Sequence, residues 1–201
     1  MIGPSVWRRL TGASLVTSIG SVAAMAAVLL TVRDDLSWAL TGLAVALATD
    51  RADGWVARRW HQESAIGAQL DSLNDALAFG VLPGVIAFRL SHDMAVVGVS
   101  AIWYALMAMW RLADFNERGL EWREGQAYFR GMPTTDVAAW FLVLATAFQV
   151  LTDRVSGPGL AGFLLVGGWA MTSSFFYPKN GWGTRMLLGL VPLAVIALWM
   201  H

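Results

Sequence analysis

The sequence predicts an all-α fold, a polytopic integral membrane bundle of about six to seven transmembrane helices. Of its 201 residues, 57% are hydrophobic and 14% are charged, whereas soluble domains carry about 25% charged residues. The mean hydropathy is +0.55, and apolar segments recur along the whole chain. The formal net charge is zero, so bulk charge gives no indication of a nucleic-acid partner. Cysteine is absent, which excludes disulfides and thiolate metal sites.

Several apolar segments are long enough, at roughly 20 residues each, to cross a bilayer. Two of them, 36–58 and 67–89, carry acidic residues and are expected to score poorly on hydropathy alone. The segment 10–32 follows Arg8 and Arg9 without a small-residue cleavage site, so we interpret it as a retained membrane helix. The short, charged connections indicate a single domain over 1–201. In chain order, the predicted spans are 10–32, 36–58, 67–89, 95–113, 134–152, 157–176 and 184–200.

The placement of Lys and Arg predicts the orientation of the bundle. If the amino terminus is cytoplasmic, all but three of the 14 basic residues fall on the cytoplasmic side, as the positive-inside rule expects. The three exceptions are Arg33, Arg89 and Arg154. We therefore expect an integral protein of the cytoplasmic membrane, with 116–130 as a cytoplasmic loop or a short interfacial helix.

Four aspartates lie on the second and third predicted spans, at the end that this orientation turns toward the cytoplasm. Asp50 and Asp53 are three residues apart and Asp71 and Asp75 are four apart, so each pair shares a helix face. If the two helices are antiparallel neighbours, both pairs meet at one level. Carboxylates that converge in a poorly hydrated place repel one another unless cations neutralise them. Oxygen ligands without His or Cys suit hard cations such as Mg²⁺ or Mn²⁺.

Two such metals bridged by carboxylates can clamp a phosphate group and stabilise the charge that develops during its transfer. Two other interpretations of the acids stay open on spacing alone. Ion pairs with Arg51, Arg58 and Arg59 would make them a structural network. A divalent-cation transporter would use them to bind ions in transit, although its acids are expected nearer the bilayer midplane.

The segment from 50 to 75 resembles the signature of the CDP-alcohol phosphatidyltransferase family. The matching residues, at the family's spacing, are Asp50, Asp53, Gly54, Ala57, Arg58, Gly67, Asp71 and Asp75. The resemblance implies a homodimeric membrane enzyme that transfers a substituted phosphate from a CDP-linked donor to an alcohol and releases CMP. It also implies two divalent metals per active site, held by the four aspartates, with Asp75 as the base that deprotonates the acceptor hydroxyl. Contacts with the CDP moiety are implied for Gly54, Ala57, Arg58 and Gly67.

Later segments are similar to the phosphatidylserine synthase branch of this family. They read LDSLNDALAFGVLP (70–83), RLADFN (111–116), YFRGMPT (128–134) and SSFFYP (173–178). The resemblance implies CDP-diacylglycerol as donor and L-serine as acceptor, with phosphatidylserine as the product.

The acceptor site is expected at Arg111, Asp114, Asn116 and Arg130. Guanidinium groups suit the carboxylate of an amino acid, although Arg111 and Arg130 are equally able to anchor helices at the interface. Asp114 stands where the branch usually has Arg, which favours an ammonium group and disfavours a carboxylate. Choline, ethanolamine, inositol phosphate and glycerol 3-phosphate therefore remain alternative acceptors. A glycine such as Gly42, on a predicted helix, is interpreted as a point of close helix packing.

Overall fold

The structure of the protein, a computed structural model, describes residues 11–60, 65–151, 156–179 and 181–200. The side chains of Ala57, Arg58 and Trp60 are outside the described set. Helices dominate the described chain, and one small sheet accompanies them. The helices are α1 (Gly12–Val32), α2 (Leu36–Trp60), α3 (Ala65–Asp75), a π-helical segment (Ala76–Val81), α4 (Leu82–Leu90), α5 (Ala95–Arg118), α6 (Thr134–Leu151), α7 (Gly157–Thr172) and α8 (Trp182–Met200).

The predicted fold class is confirmed, because α3, the π-helical segment and α4 run on as one helix from Ala65 to Leu90 and the described chain then contains seven helices. Five of the seven are long and apolar enough to cross a membrane: α1, the composite helix, α5, α6 and α8. Helix α2 is not among the five because acids and arginines occupy its second half, and α7 has only 16 residues. The acid-bearing composite helix does qualify as a membrane span, so the expectation that it would score poorly on hydropathy is wrong.

The hydrophobic core lies between α2, the composite helix, α5 and α6. Its largest fully buried side chains include Leu43, Phe79, Ile86, Tyr104 and Phe141. These residues interlock elements that are distant in the sequence, so the core holds the acid-bearing helices against the later half of the chain.

The π-helical segment begins directly after Asp75 and ends before Pro83. Proline has no backbone N–H, so the carbonyl of Phe79 cannot receive the usual helical hydrogen bond from residue 83. The hydroxyl of Tyr104 on α5 donates to that carbonyl instead, at 3.0 Å, in a fully buried position. The irregular turn therefore keeps its backbone satisfied, as a membrane interior requires.

A three-stranded antiparallel sheet lies at the same end of the bundle as the aspartates. Strands β1 (Glu121–Arg123) and β2 (Gln126–Arg130) form a hairpin, and β3 (Phe176–Pro178) pairs with the other edge of β2. The expectation of a loop or interfacial helix at 116–130 is therefore wrong. Glu124 and Gly125 have φ of +48° and +78°, which gives the two-residue turn whose twist suits a hairpin.

The opposite end of the bundle is held by an ion triplet. Arg89, near the end of α4, pairs with Asp34 in the α1–α2 turn and with Asp93 in the α4–α5 turn, the latter at 2.7 Å. The hydrogen bond from the Arg89 guanidinium holds the pKa of the Asp34 carboxyl below its usual value. Both aspartates have positive φ, a conformation that Asp tolerates better than most residues.

Gly42 allows α1 and α2 to pack closely, as the sequence led us to expect. A Cβ atom at this position would lie 2.8 Å from the Ala27 Cβ and 3.1 Å from the Ala23 carbonyl oxygen. Neither neighbour is the end of a flexible side chain, so the two helices would have to separate.

We expect Gly42→Ala to destabilise the fold, because overpacking typically costs about 1–3 kcal/mol. The thermal unfolding midpoint in detergent, followed by tryptophan fluorescence, measures the effect. Gly189→Ala on α8 is the matched control, since a Cβ there meets nothing within 4 Å. Equal midpoints for the two variants would show that α1 and α2 do not depend on this close approach.

Candidate active site

Three of the four aspartates converge between α2 and α3. One carboxylate oxygen from each of Asp50, Asp53 and Asp71 lies within 4.8 Å of the other two. The two helices thus bring three acids together, whereas their spacing predicted that both pairs would meet at one level. Asp53 is buried, while Asp50 and Asp71 are half-buried. We call these three residues the carboxylate cluster.

Asp75 lies one turn further along α3 and is not part of the cluster. Its side chain is buried, with 9% of the residue exposed, and its carboxyl is within hydrogen-bonding reach of Asp50. Among the described residues, no donor reaches its Oδ1 atom. A buried oxygen without a donor is costly, which indicates that a proton or a ligand belongs there.

The carboxylate cluster fits a hard divalent cation. Its ligand atoms are all oxygens, they lie close together, and the residues around them exclude much of the solvent. Arg51, considered as an ion-pair partner for these acids, instead has its ion pair with Asp136, at 3.7 Å. Mg²⁺ and Mn²⁺ both prefer such oxygen ligands.

The residues expected to contact a nucleotide are placed only in part. Gly54 and Gly67 are half-buried on α2 and α3, close in sequence to Asp53 and Asp71 respectively. The side chains of Ala57 and Arg58 are outside the described residues. Nucleotide contacts of these four residues therefore stay a prediction.

Arg111 connects the acids to the later part of the chain. Its residue is only 7% exposed, and the guanidinium carbon lies 5.0 Å from the Phe115 ring centre and 5.4 Å from that of Phe129. Stacking on aromatic rings stabilises a desolvated guanidinium. Of the acids around it, Asp75 has the strongest electrostatic interaction with the Arg111 guanidinium.

A pocket of about 530 Å³ opens beside Arg111. Three of the four residues predicted for the acceptor site line it, namely Arg111, Asp114 and Arg130. The fourth does not, because Asn116 donates to the Ser72 hydroxyl of α3 at 2.9 Å. We call this space the Arg111 pocket. The rest of its lining is Trp110, Ala113, Glu117, Arg118, Met171, Thr172, Ser173 and Ser174.

Asp114 does not stand as an isolated anion in this pocket. Arg118, one turn later on α5, donates to its Oδ1 atom at 2.7 Å. The substitution of an acid for the branch's usual Arg is thus compensated on the same helix.

Asp136 is a buried acid that the sequence analysis missed. Its Oδ2 atom accepts hydrogen bonds from the Tyr177 hydroxyl at 2.9 Å and the Thr184 hydroxyl at 2.7 Å, and Arg51 approaches its other oxygen. Burial raises the pKa of the Tyr177 phenol, so the phenol remains a donor at neutral pH. Asp136 ties α2, α6, β3 and α8 together. From sequence, an acid in the first turn of a helix indicates only a favourable helix terminus.

Two hydroxyl residues of α1, Thr17 and Ser21, contact the acid-bearing helices, and they were missed together with Asn74 on α3. Thr17 donates to Asp53 at 2.6 Å, and Ser21 donates to the Asn74 side chain at 2.8 Å. Thr17 and Ser21 are two of five hydroxyl residues on α1, and their spacing of four places them on one helix face, but nothing in the sequence separates them from the other three.

Comparison with known proteins identifies the family to which the chain belongs. A family model described as CDP-alcohol phosphatidyltransferase matches residues 10–174. A Methanocaldococcus jannaschii protein is 30% identical over 178 residues, covering 87% of this chain and 77% of that relative. A Helicobacter pylori protein is 32% identical over 161 residues, covering 75% and 66% respectively.

A Mycobacterium leprae protein is 36% identical over 99 residues, but these cover 47% of this chain and only 33% of that relative. All three relatives carry the name CDP-diacylglycerol–serine O-phosphatidyltransferase. With its family model matched over 10–174 and the archaeal relative aligned along most of both chains, this protein belongs to the CDP-alcohol phosphatidyltransferase family.

Proposed function

We propose that the protein transfers the phosphatidyl group of CDP-diacylglycerol to the hydroxyl of L-serine and releases CMP. The observation that carries the proposal is the carboxylate cluster, with the buried Asp75 beside it. The shared name of the relatives supports serine as the acceptor. The catalytic domain is the single helical unit of 1–201, and the donor reaches it laterally from the bilayer.

The reaction is a substitution at the phosphorus atom that carries the diacylglycerol group. The serine oxygen forms the new P–O bond, the P–O bond to the cytidylyl phosphate breaks, and that oxygen leaves with its electron pair on CMP. The serine hydroxyl must lose its proton as it attacks. Asp75 accepts this proton, because it is buried beside the cluster and its Oδ1 atom has no hydrogen-bond donor among the described residues.

Asp50, Asp53, Asp71 and Asp75 would hold two Mg²⁺ or Mn²⁺ ions per active site, which would neutralise phosphate charge during the transfer. The protein itself sets the spacing of these carboxylates through the packing of α2 against α1 and the composite helix. Gly54, Ala57, Arg58 and Gly67 would lie against the CDP moiety. Small residues there let a nucleotide approach the helix backbone, and the Arg58 guanidinium would pair with a phosphate oxygen.

The Arg111 pocket is proposed as the serine site. Three guanidinium groups against the two carboxylates of Asp114 and Glu117 leave one net positive charge in its lining. A zwitterion with a carboxylate fits such a lining better than the cations choline and ethanolamine, and its ammonium group can meet the acids. Ser173 and Ser174 supply hydroxyls for the remaining polar contacts.

The proposed setting is the cytoplasmic membrane, with the cluster and the sheet on the cytoplasmic side and two copies of the chain forming a homodimer. The distribution of Lys and Arg supports the orientation, and the resemblance to the family supports the dimer. Serine and CMP would then enter and leave through water, while the product remains in the lipid phase.

Purified protein in detergent is expected to release CMP from CDP-diacylglycerol when Mn²⁺ or Mg²⁺ and L-serine are present, and to stop when the metal is chelated. Serine, glycerol 3-phosphate, inositol phosphate, choline and ethanolamine are each tested alone, with CMP measured by chromatography. Release with another acceptor alone would keep the transfer chemistry and refute serine. No release with any acceptor would refute the transferase proposal for these substrates.

We expect Asp75→Asn to lower turnover by at least about 100-fold, the usual contribution of a positioned acid or base. CDP binding and the thermal midpoint should be largely retained, because Asn has nearly the same shape. Asp35→Asn, in the exposed α1–α2 turn at the opposite end, is the control and should behave as wild type. Near-normal turnover of Asp75→Asn would exclude it as the base.

Arg130→Gln is expected to raise the KM for serine by about 10-fold, as the loss of a charged hydrogen bond predicts. The KM for CDP-diacylglycerol should change little. Arg123→Gln is the matched control, because Arg123 is on the same hairpin but stacks on Phe176 with its guanidinium carbon 3.4 Å from the ring centre. If both variants raise the KM for serine equally, the hairpin acts as a whole and the pocket assignment fails.

A further inference from the structure

We propose that Thr17 on α1 is a positioning residue for the carboxylate cluster, orienting Asp53 for metal binding. The inference rests on the proposed function insofar as the cluster holds a divalent metal. It goes beyond that function because α1 contributes no acid and lies outside the signature at 50–75. The hydroxyl of Thr17 acts through Asp53, to which it donates.

Thr17 lies where α1 faces the cluster. Its residue is 4% exposed and Asp53 is 5% exposed, so water does not compete for the contact between them. The Thr17 hydroxyl lies 2.6 Å from Asp53 Oδ2 and 3.1 Å from the Ala13 carbonyl oxygen.

A hydroxyl has one proton, so the two acceptors compete for it. The carboxylate is charged and closer, and hydrogen bonds to charged acceptors are both shorter and stronger than neutral ones. The Thr17 proton is therefore directed to Asp53, across the interface between α1 and α2, and not to its own helix.

This bond restricts the rotation of the Asp53 carboxylate. A short aspartate side chain can turn its two oxygens freely when nothing holds them, and each new orientation changes the distance to Asp50 and Asp71. With one oxygen held by Thr17, the carboxylate keeps one orientation relative to its neighbours. Groups that hydrogen-bond to metal ligands in this way commonly change metal affinity or activity by about 10- to 100-fold when removed.

Helix α1 makes a second contact of the same kind one turn further along. Ser21 donates to the Asn74 side-chain oxygen at 2.8 Å, and Asn74 directly precedes Asp75. Thr17 reaches α2 and Ser21 reaches α3, so the two hydroxyls connect α1 to both helices that carry the acids. Thr17 is the sharper test because it touches a cluster residue directly.

The test measures Mn²⁺ binding to the purified protein without substrate, by the EPR signal of unbound Mn²⁺. Thr17→Val has the same shape but lacks the hydroxyl, and it should weaken Mn²⁺ binding by about 10-fold or more. Thr17→Ser keeps the hydroxyl and should restore binding. The Mn²⁺ concentration that gives half-maximal CMP release should be higher for Thr17→Val than for the wild type.

Thr31→Val is the matched control. Thr31 is also on α1, is 1% exposed, and donates to the Ala27 carbonyl at 2.7 Å, but it lies about 21 Å along the helix from Thr17. This variant should bind Mn²⁺ as the wild type does. Any general weakening of α1 by loss of a buried hydroxyl would affect both Val variants alike.

The outcomes separate this inference from the proposed function. Wild-type binding by Thr17→Val, equal weakening by Thr31→Val, or no recovery in Thr17→Ser would each overturn the inference alone. If Thr17→Val binds Mn²⁺ weakly while the wild type binds it but releases no CMP, the positioning role stands and the proposed substrates fail. If the wild type binds no Mn²⁺, both the inference and the proposed metal dependence are overturned.

Discussion

Electrostatic repulsion among carboxylates held at the end of a membrane bundle is the constraint on which the rest of the structure depends. Two unit charges about 4 Å apart repel by about 4 kcal/mol at an effective dielectric constant of about 20. The cluster of Asp50, Asp53 and Asp71 brings three such groups within 4.8 Å. This repulsion destabilises the bundle unless a cation bound between the carboxylates neutralises it. The cluster is therefore the observation that best supports a metal-dependent function.

Holding the acids together requires rigid supports on all sides. Helix α1 reaches Asp53 and Asn74 through two hydroxyls, and the composite helix changes to π-helical geometry directly after Asp75. Single-turn π segments are frequent at functional sites, because they shift the side chains on either side relative to each other. Tyr104 satisfies the carbonyl that Pro83 leaves free, so the shift does not expose backbone to the apolar interior.

The later half of the chain surrounds the acids with compensating charge. Arg111 packs against the rings of Phe115 and Phe129 and interacts electrostatically with Asp75. At the start of α6, Asp136 accepts hydrogen bonds from Tyr177 and Thr184 and forms an ion pair with Arg51. The antiparallel sheet joins these parts, since β2 carries Phe129 and Arg130 and pairs with the strand of Tyr177. One end of the bundle thus combines a negative cluster with a pocket of net positive charge, and the proposed transfer depends on this combination.

The sequence by itself determined the helical membrane class, nearly all helix positions and the four aspartates, because apolar length and the spacing of acids on a helix face are local properties. It also indicated Arg111, Asp114 and Arg130, although only folding shows that Asn116 turns away to Ser72. The pairing of β2 with β3, the buried Asp136 and the bond from Thr17 to Asp53 were decided by the tertiary structure. Each depends on partners 36 or more residues away or on strand pairing across the chain, and no local pattern encodes which distant surface a polar side chain will meet.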